Sequence, residues 1–196
     1  MGEAPGSAAS AKRVLRTRLL AARTALTADQ LEAARAAVRV HVLARMDAAT
    51  AADRPWHIVC AYQPLPTEPG SVALLEALAD RGAAVLVPLM RPDRDLDWTR
   101  WPAGGPLGVE EVARATAVLV PALAVDGHGR RLGRGGGSYD RVLARVGADV
   151  PVAALLHRGE ILDEVPADPW DRPVNAAVTP TGWLEIPTSL STAGSG

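Results

Sequence analysis

The spacing of hydrophobic and polar positions changes once along the chain, after roughly the first quarter. Before that point, from Ala11 to Met46, apolar residues recur at helical spacing, with a break near Leu26. Thr27 and Gln30 follow the break three positions apart, as in a capping box, and indicate that a second helix begins there. The N-terminal part is therefore predicted to form two helices.

Beyond Pro55, short strand-like runs alternate with helical stretches. Residues 83–88 and 116–121 are continuously apolar, which is typical of strands buried on both faces, whereas 95–101 alternates and predicts an edge or antiparallel strand. The other predicted strands are 56–62, 151–156 and, as the last one, 176–179, and the predicted helices are 72–81 and 138–146. Strands alternating with helices predict an α/β fold with a largely parallel sheet covered on both sides.

Composition fits one domain of ordinary size. The chain has 196 residues, is 48% apolar and carries a formal net charge of −1, which excludes a generally basic nucleic-acid binder. No apolar run approaches the roughly 18 residues of a membrane-spanning helix. Cys60 is the only cysteine, so an internal disulfide and a cysteine zinc site are excluded. We expect a single domain at residues 11–187, flexible tails at 1–10 and 188–196, and a cytoplasmic protein.

The segment with the most candidate ligand-binding groups is Arg131–Asp140, which reads Arg-Leu-Gly-Arg-Gly-Gly-Gly-Ser-Tyr-Asp. Its four glycines let backbone amides approach a ligand closely, and the start of a helix adds free N–H groups. Arg131 and Arg134 supply cationic donors for phosphate oxygens. Asp140 suits either a helix cap or a Mg²⁺ ligand. The alternative is a flexible turn before a capped helix, because a glycine-rich loop alone is weak evidence for phosphate binding.

Two further segments are candidates for the same ligand site. Lys12, the only lysine in the chain, and Arg16 are four positions apart, so both project from one helix face and could clamp a polyphosphate. The alternative is the solvated face of an amphipathic helix. Gln63 and Glu68 follow a predicted strand, where ligands of open α/β sheets bind. The alternative there is an ordinary surface loop.

The remaining polar groups have no recognised catalytic or metal-binding arrangement. The four histidines lack metal-ligand spacing, and Ser138 has no evident histidine and acid partners. These histidines are His41, His57, His128 and His157.

Taken together, these segments resemble the 5-formyltetrahydrofolate cyclo-ligase family (5,10-methenyltetrahydrofolate synthetases) from about Lys12 to Thr179, with Arg131–Asp140 as the most specific match. The resemblance implies a three-layer α/β/α, Rossmann-like fold with a largely parallel sheet. It implies cyclisation of 5-formyltetrahydrofolate to 5,10-methenyltetrahydrofolate, with ATP as co-substrate, Mg²⁺ as cofactor, and release of ADP and phosphate. We expect a monomer whose partners are these two small molecules, without nucleic acid or membrane.

The resemblance also implies individual site residues. Lys12 and Arg134 are the implied catalytic residues, and Asp140 and Asp171 are the implied magnesium-associated residues. The implied ATP-binding residues are Lys12, Arg13, Val14, Leu15, Arg16, Arg131, Leu132, Gly133, Arg134, Gly135, Gly136, Gly137, Ser138 and Tyr139. The implied folate-binding residues are Gln63, Glu68, Arg134, Gly135, Gly136, Gly137 and Ser138.

The chain departs from the family pattern at four positions. Ser138 stands where the first tyrosine of Tyr-Tyr-Asp is usual, so we expect altered folate packing, with Trp170 filling the space. Glu160, Trp170 and Val112 stand where glutamine, histidine and proline are common. None of these changes removes a phosphate or magnesium group, so an active enzyme is expected.

In the implied mechanism, the formyl oxygen attacks the γ-phosphate of ATP, and the folate amine then closes the ring as phosphate leaves. Positioning and charge neutralisation would carry such catalysis, without a protein nucleophile. Two other functions stay open. A non-catalytic nucleotide- or RNA-binding relative would be expected to lose Lys12 or the glycine loop, and a sugar-phosphate isomerase would not consume ATP.

Overall fold

The computed structural model describes the backbone of residues 5–187 and the side chains from residue 8 onwards. The α-helices in this range are α1 (Pro5–Thr24), α2 (Ala28–Ala51), α3 (Val72–Asp80) and α4 (Ser138–Leu143), and a 3₁₀ helix spans Val109–Arg114. The strands are β1 (Ile58–Cys60), β2 (Ala84–Met90), β3 (Leu96–Arg100), β4 (Ala117–Pro121), β5 (Ala124–Asp126), β6 (Arg131–Leu132), β7 (Val152–Leu155), β8 (Ile161–Leu162), β9 (Ala176–Thr179) and β10 (Gly182–Glu185).

Seven strands form one mixed sheet in the order β10-β9-β7-β4-β1-β2-β3. The five inner strands are parallel, and the edge strands β3 and β10 pair antiparallel with their neighbours. The chain runs from β1 to β2 on one side and later returns to the other side of β1 to form β4, so the strand order reverses between β1 and β4. Ligands of open α/β sheets bind outside the carboxyl ends of the strands at such a reversal.

Alternation of side chains along the strands divides the hydrophobic core into two layers. Val59 of β1 and Leu119 of β4 pack with α2 and α3, whereas Cys60 and Val118 pack with the 3₁₀ helix and α4. Successive strand residues point to opposite faces, so a continuous apolar run supplies both layers. The predicted three-layer α/β arrangement with a largely parallel sheet is confirmed.

A second, smaller sheet in the order β6-β5-β8 supports helix α1. Leu19 of α1 packs in a separate apolar cluster with Leu123, Leu132 and Val165. This contact fixes one side of α1 beside the end of β4. The sequence did not predict these strands, because each has only two or three residues.

The ends of the chain differ in part from the prediction. Residues 5–10, predicted as part of a tail, form the first turns of α1, where Pro5 takes the first helical position and alanines follow. Residues 1–4 and 188–196, the rest of the predicted tails, lie outside the described range. Between residues 5 and 187, no helix is long and apolar enough to span a membrane.

Two other boundaries correct the sequence reading. Helix α4 ends at Leu143 and not near residue 146, because the amides of Arg145 and Val146 bond to carbonyls three residues back and not four. Strand β9 is not the last strand, since β10 follows it through a tight turn and pairs with it at the sheet edge.

Candidate functional site

A cavity of about 860 Å³ lies at the carboxyl ends of β1 and β4, where the strand order reverses. Three segments singled out in the sequence line this cavity. They are the Lys12 and Arg16 face of α1, the loop after β1 with Gln63 and Glu68, and the glycine-rich loop through Asp140. Asp171 lines it as well, on a loop between β8 and β9. Arg13, Val14 and Leu15 do not line the cavity; Val14 is 65% exposed, and Leu15 packs toward Leu19.

Lys12 is a buried cation of α1 that lines the cavity. Its Nζ donates to Oδ2 of Asp168 and to Oδ2 of Asp171, at 2.5 Å each. Burial lowers the pKa of Lys12, but the hydrogen bonds to Asp168 and Asp171 outweigh that effect, and the pKa is raised above the ordinary 10.5. Lys12 therefore stays charged at neutral pH. One turn further along α1, Arg16 Nε donates to the Gly133 carbonyl at 2.9 Å and holds the glycine-rich loop.

The glycine-rich loop depends on backbone conformations that favour glycine. Gly135 has φ +101° and Gly137 has φ +69°, where a side chain would be strained. Arg131 at the start of the loop is buried, lies 3.1 Å from Asp140 Oδ1 through its Nη2, and places its guanidinium 5.8 Å from the centre of the Tyr139 ring. The helix that follows has only six residues, so its dipole at the start of α4 is small.

Asp140 and Asp171 both line the cavity. The N-cap of α4 is Gly137, so the cap interpretation of Asp140 is wrong. Asp140 Oδ1 accepts instead from Arg131 and from the amide of Arg172, at 3.3 Å, next to Asp171. Asp171 Oδ2 accepts from Lys12 and from the Asp168 amide. Within residues 5–187 no hydrogen bond reaches the second oxygen of either carboxylate, and no group of three or more metal-ligating side chains occurs.

Glu68 is the buried acid on the other side of the cavity, with 3% of its surface exposed. Its Oε2 accepts from the Leu65 amide at 2.9 Å, and its Oε1 accepts from Arg134 Nε at 3.2 Å. Arg134 itself is 40% exposed at the side chain and lines the cavity. The glycine-rich loop and the loop after β1 are thus joined across the cavity by one ion pair.

Ser138 and Trp170, two of the departures from the family pattern, both line the cavity but do not pack as expected. Ser138 is buried at the first position of α4, whereas Trp170 is 70% exposed. A side chain that open to solvent does not fill buried space beside Ser138, so that interpretation is wrong. Trp170 adds apolar surface to the rim, as do Leu65 and Met90, which are also exposed.

Sequence reasoning missed the contacts of four polar residues that line the cavity or hold its lining segments, of which Asp168 is partly exposed and the other three are buried. Asp168 is the second partner of Lys12. Arg23 and Glu160 form an ion pair with two hydrogen bonds, each with an N···O distance of 2.7 Å. This pairing explains why the chain has a carboxylate at position 160, where the family commonly has glutamine. His157, set aside for want of metal-ligand spacing, contacts the loop after β1. Pair partners this distant in sequence leave no local motif, so no signal in one sequence identifies them.

The fold and the cavity together define an α/β protein with a cavity, lined by basic and acidic side chains, at the carboxyl ends of its parallel strands. The family model for the 5-formyltetrahydrofolate cyclo-ligase family matches residues 8–180, and the chain belongs to that family.

Known relatives agree with this membership. A 5-formyltetrahydrofolate cyclo-ligase of Mycolicibacterium smegmatis is 41% identical over 141 residues, which cover 62% of this chain and 73% of the relative. The Escherichia coli K12 protein of that name is 28% identical over 143 residues, covering 64% and 79%. The fold is similar to that of a 5,10-methenyltetrahydrofolate synthetase from Mycoplasma pneumoniae, with a TM-score of 0.74 at 20% identity, over 86% of this chain and 98% of that one.

Proposed function

We propose that this chain is an ATP-dependent 5-formyltetrahydrofolate cyclo-ligase that produces 5,10-methenyltetrahydrofolate, ADP and phosphate. Family membership supports the reaction. The structural observation that carries the proposal is the joining of two unlike surfaces in one cavity. A cationic surface of α1 and the glycine-rich loop faces Glu68 and an apolar rim, and Arg134 lies between them.

The cationic surface is suited to the triphosphate of ATP. Lys12 supplies a compact charge, and Arg131 supplies fork-shaped donors for phosphate oxygens. The loop from Gly133 to Gly137 adds backbone amides that can approach closely, because glycine side chains do not obstruct them. Transfer of a phosphoryl group needs such positioning and charge neutralisation more than it needs a nucleophile.

The opposite surface is suited to the folate. Leu65, Met90 and Trp170 offer exposed apolar area to a flat ring system, and Glu68 offers a buried carboxylate for its N–H groups. Gln63, also at the cavity, adds an amide that can donate and accept. In the proposed reaction, Arg134 lies where the formyl oxygen meets the γ-phosphate and neutralises charge that develops there.

Mg²⁺ fits the carboxylates of Asp140 and Asp171 in the cavity. Asp140 and Asp171 each keep one oxygen free of hydrogen bonds within residues 5–187, and carboxylate oxygens are ligands that Mg²⁺ prefers. Among the described residues no group of three metal-ligating side chains occurs, and Mg²⁺ is commonly bound by one or two protein carboxylates with substrate phosphate oxygens as further ligands. Bound there, Mg²⁺ would offset phosphate charge. Asp140 and Asp171 would hold it, and Lys12 would contact the phosphates beside it.

The test is the formation of the methenyl product, which has its own absorbance, from protein, ATP, Mg²⁺ and 5-formyltetrahydrofolate. We expect product only when ATP is present, with one ADP formed for each product molecule. Turnover of a sugar phosphate without ATP would favour the isomerase alternative. Failure to form methenyl product in the complete mixture would overturn the proposal and favour a non-catalytic relative.

A further inference from the structure

The turn Leu65–Glu68 is held from outside through all four of its carbonyl oxygens. Arg35 of α2 donates from Nε to the Glu68 carbonyl at 3.1 Å, and from Nη2 to the Pro66 and Leu65 carbonyls at 2.8 and 3.4 Å. The fourth carbonyl, of Thr67, lies 3.0 Å from His157 Nε2. These contacts from Arg35 and His157 fix the backbone of the turn that carries Glu68.

His157 controls one particular peptide group of the turn. In the peptide group between Thr67 and Glu68, the N–H donates to the Leu65 carbonyl at 3.0 Å, and the C=O accepts from the His157 imidazole. Rotation of this peptide would swing the Glu68 side chain away from Arg134. Arg35 contacts the peptides on either side but not this one.

The imidazole is itself fixed from behind. His157 is 6% exposed, and its amide donates to Glu160 Oε2 at 2.7 Å. Glu160 is held by Arg23 of α1, whose Nη2 also donates to the Ala122 carbonyl at 2.6 Å. Burial lowers the pKa of His157, so the ring is neutral at pH 7. A carbonyl oxygen only accepts hydrogen bonds, so Nε2 carries the proton.

We propose that His157 is a positioning residue for Glu68, acting through the Thr67 carbonyl on the folate side of the cavity. This inference rests on the proposed function for the identity of the ligand that Glu68 meets. It assigns a role to a histidine that does not line the cavity. The chain Arg23–Glu160–His157 thereby connects helix α1, which also carries Lys12, to the turn opposite.

Two substitutions separate the hydrogen bond from the bulk of the ring. His157→Leu keeps an apolar side chain but removes the donor, whereas His157→Gln keeps an N–H that can reach the Thr67 carbonyl. We expect His157→Leu to raise the KM for 5-formyltetrahydrofolate roughly threefold to tenfold, the scale of one lost hydrogen bond. The KM for ATP should stay unchanged, and His157→Gln should restore most of the folate KM.

The matched control is His57→Leu. His57 is exposed at the amino end of β1, away from the cavity, and its replacement should change neither constant. Equal rises in the ATP and folate constants of His157→Leu, or no rise in either, would overturn the inference. So would a His157→Gln variant no better than His157→Leu.

A second readout does not depend on catalysis. Nitrogen-15 NMR of the wild-type protein should show His157 neutral with its proton on Nε2, and the Glu68 amide signal should move in His157→Leu but stay in place in His157→Gln. A proton on Nδ1 would overturn the inference even if His157→Leu failed to fold. If the wild-type protein forms no methenyl product, the proposed function fails, while these NMR signals still decide whether His157 positions the turn.

Discussion

Helix α1 carries two buried cations whose surroundings differ. Lys12 faces the cavity, and the side chains of its partners Asp168 and Asp171 are 25% and 16% exposed. Arg23, about three turns further along, meets Glu160 where the two side chains are 2% and 6% exposed. Solvent and ligands can reach the first set of partners but not the second. A ligand can therefore replace the partners of Lys12, which makes that contact exchangeable. The buried pair of Arg23 and Glu160, called the anchor below, is closed to such replacement.

Replacing Arg23 should have the largest effect on stability. Arg23→Met leaves Glu160 buried without its cation, and we expect a loss of about 3–5 kcal/mol in the free energy of unfolding. Urea denaturation measures this loss. The double variant Arg23→Met with Glu160→Met should lose less than the single variant, because no unpaired charge stays buried. A single variant as stable as wild type would show that the anchor is dispensable.

Replacing Lys12 should affect catalysis more than stability. Lys12→Ala should reduce kcat/KM for ATP roughly 30- to 1000-fold, about 2–4 kcal/mol, the scale of one electrostatic contact to a transition state. Steady-state assays with varied ATP measure it, with Arg18→Ala on an exposed part of the same helix as the control. Wild-type kinetics in Lys12→Ala would contradict the exchangeable role of this lysine.

Replacing Asp140 should change the magnesium requirement. Asp140→Asn removes one anionic oxygen donor, and we expect the Mg²⁺ concentration for half-maximal activity to rise about tenfold, equivalent to about 1.4 kcal/mol. The folate KM should change less. Asp80→Asn, on the exposed end of α3, serves as the control. A folate effect larger than the magnesium effect would argue that Asp140 does not contact the metal.

The free energy of unfolding should also depend on pH through His157, which contacts the anchor of Arg23 and Glu160, and this effect should be the smallest of the four. Burial lowers the pKa of His157 below its ordinary 6.5, against which Thr67 and Glu160 act, while Arg23 and Arg35 add to the lowering. The unfolded chain then binds more protons below about pH 6.5, so this part of the stability is complete above that pH and is lost as pH falls toward the folded pKa. Urea midpoints between about pH 5 and 7.5 should fall less on acidification in His157→Gln.

Contiguous features could be predicted from the sequence, and paired ones could not. The runs at 83–88 and 116–121 reveal inner strands because both faces need apolar residues. The glycine-rich loop and Lys12 could also be predicted, because each is recognisable within one short segment of the sequence. Strand β10 escaped prediction because it is short and partly exposed. The anchor of Arg23 and Glu160 escaped because it depends on two single residues that only the tertiary fold brings together.

The position of α1 in the chain has a consequence for synthesis. Lys12 and Asp168 are 156 residues apart in sequence, and Arg23 and Glu160 are 137 apart. While the chain emerges from the ribosome, this helix has none of these partners until the residues from Glu160 onwards have been made. Contacts between such distant residues form slowly, because a long loop must close before they contribute. Helix α1 is thus made well before the residues that pair with Lys12 and Arg23, and it can dock against them only after they have been made.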